Sequence, residues 1–171
     1  MKTLKISLLT LALAAGLALP AAAHEDHQES MFETMSEAYL AIQTSLAADS
    51  LEGIEDSALT ITKSAQMMSN KFDLHAAGVA EKDGPACRKL MPELAANASA
   101  LAKAPDLESA RTAFAQLSET MVAYRNMIPG QEKPNVAYCP MAKHNWLQNG
   151  KKINNPYFGS KMLRCGKIVN K

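Results

Sequence analysis

Between Ser30 and Gly130 the apolar residues return every three or four positions in four separate runs, and that period leaves few folds open. The first run is Met31, Met35, Tyr39, Ile42 and Leu46. The second is Leu51, Ile54, Ala58, Ile61, Ala65 and Met68. The third is Cys87, Leu90 or Met91, Leu94, Ala98 and Leu101, and the fourth is Leu107, Ala110, Phe114, Leu117, Met121, Tyr124 and Ile128. Steps of three and four bring each set to one side of a helix with 3.6 residues per turn. End signals flank the runs. Ser30 suits an N-cap, and Asp49 with Glu52 three residues on has the form of a capping box. Gly84-Pro85 puts proline in a first turn, while Lys103-Ala104-Pro105-Asp106 and Pro129-Gly130 break the chain. The polar stretch between Ser69 and Gly84 reads as a loop. Helices with one apolar face each must bury those faces against one another, so the expected fold is all-α, a four-helix up-down bundle over residues 30–130.

The flanks differ from this pattern. Residues 131–171 show no helix or strand period, yet they hold two cysteines, two methionines and the single tryptophan of the chain. Aromatic and sulfur-rich composition argues against disorder. The expectation is an irregular C-terminal Cys/Met cap belonging to the same domain, sealed onto the bundle by Trp146, Tyr157 and Phe158, with Asn155-Pro156 and Gly159 as turn residues. At the other end, Lys2 and Lys5 precede an apolar run from Ile6 to Leu19 and then Ala21-Ala22-Ala23. This is the pattern of a signal peptide over residues 1–23, cut after Ala23. The run is short of the roughly 20 residues of a membrane span. Export to a bacterial periplasm is expected, with no membrane span after cleavage. Residues 24–29 then form a polar leader. Its His24 and His27 either chelate copper, His24 with the new N-terminal amine, or belong to a frayed end.

Composition excludes several function classes. Cleavage takes two lysines and no acid, tipping the net charge from +1 to about −1. No basic field remains to attract nucleic acid. Glycine-rich phosphate loops, a Gly-x-Ser-x-Gly elbow, Cys-x-x-Cys-His and the paired Glu-x-x-His of di-iron bundles are all absent. No catalytic residue is assigned and no enzyme is expected.

The sulfur atoms carry the chemistry. Cys139-Pro140-Met141 sets a thiol and a thioether either side of a proline, and Met162 and Cys165 are one helical turn apart. Such soft donors select Cu(I) or Ag(I) over hard cations. Cys139, Met141, Met162 and Cys165 are the candidate metal ligands, with His144 as an additional nitrogen donor. Cys139 and Cys165 can equally be read as a disulfide, whose loop would contribute about 3–4 kcal/mol on the chain-entropy relation. They can also alternate, ligands when reduced and a bridge when oxidised. Cys87, on a core stripe, reads as a buried, inert thiol. Met67, Met68 and Met91, with His75 nearby, read as core filling rather than a metal site.

The run Cys139-Pro140-Met141, Trp146-Leu147, Ile153, Asn155-Pro156-Tyr157-Phe158-Gly159, Met162 and Cys165-Gly166 resembles the signature of a bacterial domain family of unknown function. That family occurs alone in exported proteins and fused to the periplasmic adaptor subunits of Cus-type copper and silver efflux systems. Its helical first half is similar to Glu37-Ala38-Tyr39-Leu40 and Ser45-Leu46-Ala47-Ala48-Asp49. The start Tyr138-Cys139-Pro140-Met141 also resembles short heavy-metal-binding modules of copper pumps, but Ala142 and Lys167 depart from their pattern, so their mechanism is not carried over. The resemblance implies a periplasmic copper- or silver-binding chaperone or buffer, with an efflux adaptor as partner. The alternative is a protein-interaction module of an efflux or envelope system in which Cys139–Cys165 is a structural disulfide.

Overall fold

The four apolar stripes become four long helices in a computed structural model that describes residues 30–130 and 133–170. Helix α1 is Met31–Ala47, α2 Ile54–Asn70, α4 Gly84–Ala102 and α5 Leu107–Met127, with a single-turn helix α3, Leu74–Ala77, in the polar connection. The leader and signal-peptide readings fall on residues outside those described. Ser30 caps α1 as a full capping box with Glu33, and Asp106 caps α5 through the Ser109 N–H. Around the bundle α1 lies beside α2 and α5, and α4 beside α2 and α5. Helices α1 and α5 run antiparallel. Phe32 meets Tyr124 edge-on at 5.2 Å at one end, and Arg111 reaches the Leu46 carbonyl at the other. The stripe residues line the interior, from Met35 and Tyr39 to Met121 and Tyr124. No described helix is long and apolar enough to cross a membrane.

Helix α2 starts later than its sequence signal. Asp49 does not cap it, because its φ is +58° and the cap position belongs to Gly53. The Asp49 carboxylate is drawn away by Arg111 and by the Ser160 N–H. Leu51, the first residue of the second stripe, is left exposed.

The larger correction concerns the C-terminal segment. It is not irregular throughout. It contains a three-stranded antiparallel sheet in the order β2-β1-β3, from β1 Asn135–Cys139, β2 His144–Gln148 and β3 Lys167–Ile168. Neighbouring residues Val136 and Ala137 are both buried, as are Trp146, Leu147 and Gln148 in succession. Successive strand residues point to opposite faces, so both faces are covered and the polar-apolar alternation that marks a strand is missing. The sheet lies along the side of the bundle, where β2 packs on α5 and α1.

Candidate metal centre

A tight turn, Pro140 to Lys143, joins β1 to β2 and sets Cys139 directly opposite His144 in the register. Lys143 takes a left-handed φ of +60°, and its N–H bonds the Cys139 carbonyl at 2.8 Å. This closure brings the Ala142 N–H over the Cys139 Sγ at 3.3 Å. The other cysteine arrives from a distant loop. After a 3-10 turn, Gly159–Met162, the Cys165 N–H bonds the Met162 carbonyl at 2.9 Å. Gly166 then passes the Trp146 ring at φ +145°, where a β-carbon would meet the Trp146 Cη2 at 2.6 Å. Only glycine fits there.

The result is two free thiols with their sulfurs 3.9 Å apart. Cys139 is fully buried and Cys165 half-buried. Asn155, also fully buried, connects them. Its Nδ2 donates to the Cys139 Sγ at 3.1 Å and to the Cys165 carbonyl at 2.7 Å. Its Oδ1 accepts from the Tyr157 N–H at 2.8 Å and the Phe158 N–H at 3.3 Å. Every hydrogen-bonding direction of that amide is used. Two N–H donors therefore converge on the Cys139 sulfur, an arrangement that complements a metal-bound thiolate. The Cys165 thiol is pushed up, first by burial and then by its hydrogen bond to Cys139 and the charge there, while the Met141 amide opposes the shift.

Two thiolates at about 2.3 Å from one ion stand roughly 3.8 Å apart at a tetrahedral angle and wider when the angle opens. The observed 3.9 Å fits that range. It is also a van der Waals contact from which a sulfur displacement of about 2 Å closes a disulfide. The other expected donors are placed less tightly. Met141 is on the turn and 62% exposed. Met162 ends the 3-10 turn, half-buried. The His144 Nδ1 faces Glu119 Oε1 at 3.4 Å. Among the described residues no group of three or more His, Cys, Asp and Glu comes together. What the fold brings together is a pair of thiols, soft donors that can hold a soft ion of low coordination number.

Cys87 lies apart in the bundle core, where burial pushes its thiol up to about 11, as an inert core thiol requires. Met91 and Met68 are core residues, but Met67 is 56% exposed, so core filling does not account for it.

The mount of the sulfur pair uses residues that the sequence marks for packing or not at all: Tyr39 and Tyr157 as apolar positions, Gln148 and Arg111 with no signal. The free edge of β2 is closed by two tyrosines. Tyr39 accepts the Leu147 N–H at 3.2 Å, and the Tyr157 hydroxyl donates to the Asn145 carbonyl. Burial raises both phenols. Gln148, almost fully buried, accepts from the Trp146 indole and the Asn154 N–H and donates to the Gly150 and Lys152 carbonyls, which fixes the loop leading to Asn155. Arg111 binds the Pro156 and Leu46 carbonyls and Asp49. No local signal shows the reach of Tyr39 or Arg111 to this segment, because their partners there are far away in sequence, and Gln148 binds within six residues in a loop that has no period to read.

No curated protein and no solved structure matches the chain. Residues 26–130, ending before β1, match a described family, so the site is carried by a segment beyond the matched region. With more than half of its length matched, the chain belongs to the family described as protein of unknown function DUF3347.

Proposed function

We propose that this protein binds Cu(I) or Ag(I) between Cys139 and Cys165 and serves as a periplasmic chaperone or buffer in heavy-metal efflux or resistance. The observation that carries the reading is the sulfur pair itself: two thiols 3.9 Å apart, one of them met by two N–H donors. Met141, exposed on the turn, supplies a thioether at the rim, with Met162 beside Cys165. His144, opposite Cys139 across the strand pair, is the reserve nitrogen ligand. The link to an efflux adaptor rests on the resemblance of the Cys139-to-Gly166 signature alone. The test is a Cu(I) titration against a competing chelator, on reduced and on oxidised protein. Tight one-to-one binding only in the reduced form, lost in Cys139→Ser, is expected. Failure of the reduced protein to compete overturns the reading.

A second reading has the same separation in its favour. In it the thiols close to a disulfide and the protein is an interaction module of an efflux or envelope system. Protein isolated without reductant would then resist alkylation at Cys139 and Cys165, and partner capture would survive their replacement.

A further inference from the structure

Where the first turn of α1 meets the last turn of α2, a surface pocket of about 460 Å³ is lined by Met31, Met67, Met68 and His75, with Lys71 and Asp73 also on its wall. Three separate elements supply the donors. Met31 opens α1, Met67 and Met68 close α2, and His75 is in α3. Met68 is 2% exposed and forms a floor, whereas Met67 leaves more than half of an apolar side chain in water. Packing explains the first and not the second. The Asp73 carboxylate caps the Ala76 N–H at 2.8 Å, and it offsets the Lys71 ammonium, so the pocket carries no net charge before His75 is counted. Neutral thioethers and an imidazole are soft or borderline donors, and a thioether has no proton to lose on binding. Hard divalent cations, which require several oxygens, find none beyond Asp73.

We propose that Met31, Met67, Met68 and His75 form a second soft-metal site, free of cysteine, for a monovalent cation such as Ag(I) or Cu(I). The site does not depend on the Cys139–Cys165 pair. It retains metal when that pair is oxidised, because no thiol takes part.

The test uses the full chain carrying Cys139→Ser and Cys165→Ser, titrated with Ag(I) in chloride-free buffer and followed by the methionine methyl and His75 ring resonances. One equivalent bound is expected, with Met31, Met67, Met68 and His75 signals moving while core Met91 and Met121 stay still. Met67→Leu, conservative in volume at an exposed position, should weaken that binding at least tenfold and leave the fold intact. No Ag(I) bound by the double variant, or movement confined to Met141 and Met162, overturns the proposal. Failure of the cysteine reading looks different: wild type and double variant would then bind the same number of ions.

Discussion

Asn155 is the residue on which the sulfur pair depends, and its two halves do different work. Its Oδ1 holds the Tyr157 and Phe158 amides, and its Nδ2 meets the Cys139 sulfur and the Cys165 carbonyl. Asn155→Ala strands buried donors and an acceptor that each cost roughly 1–3 kcal/mol unpaired, so a stability loss of about 3 kcal/mol is expected in urea unfolding. Asn155→Asp separates the roles. It keeps an oxygen for the Tyr157 and Phe158 amides and places a negative charge where the N–H faced the sulfur. Cu(I) affinity should then fall at least tenfold, about 1.4 kcal/mol or more, and further than in the alanine variant, because the buried carboxylate faces both the Cys139 sulfur and the Cys165 carbonyl. An equal loss of affinity in both variants with equal loss of stability would make Asn155 a structural residue only. In sequence, Asn155-Pro156 reads as a turn, and that is half of its role. The reach of its amide to Cys139 depends on a pairing sixteen residues away, for which one chain offers no signal.

The helices could be read from the sequence because each keeps one face in water, which makes the apolar period visible. The start of α2 departs from its sequence signal because a locally good capping box at Asp49 is outweighed by partners more than sixty residues distant, Arg111 and Ser160. The strands were hidden for the opposite reason to the helices: both of their faces are covered, so Trp146, Leu147 and Gln148 run on as buried neighbours. Two glycines close this layer. Gly166 has φ +145° with the Tyr138 carbonyl 3.0 Å from where a β-carbon would stand, and Gly159 has φ +53° with Asp49 and Arg111 in that place. Neither obstacle at Gly166 is the end of a flexible chain. Gly166→Ala should therefore cost more than the roughly 1–3 kcal/mol of a residue held in a backbone region that only glycine visits freely, and should displace Cys165 from Cys139. Loss of stability by urea titration together with weakened Cu(I) competition is the expected pair of results. Retention of full metal affinity would show that Gly166 does not position Cys165.

The two layers are held together by an aromatic stack and a few charged and polar ties. Tyr39 stacks on Phe114 at 4.9 Å, and Phe114 meets Tyr157 at 5.9 Å. Around that stack the Gln43 amide reaches the Asn154 carbonyl, Arg125 the Pro134 carbonyl, and Arg111 both Pro156 and Asp49. The Asp49 carboxylate is the tie that pH can break. Hydrogen bonds from Ser160 and then from Arg111 hold it from the ordinary 3.8 down to about 2. The folded protein thus binds this proton less readily than the unfolded chain, so the stabilisation is present above about pH 4 and is lost as pH falls toward 2. Asp49→Asn removes the charge at every pH. The variant should be less stable than wild type at neutral pH and should approach it between pH 4 and 2, as wild type loses what the variant never had. Chemical unfolding across that range measures the difference directly. Because Asp49 grips the Ser160 amide at the start of the turn that leads through Met162 to Cys165, the variant should also bind Cu(I) more weakly at neutral pH. A constant gap between the two stability curves down to pH 2 would mean that Asp49 contributes shape to this junction and not charge.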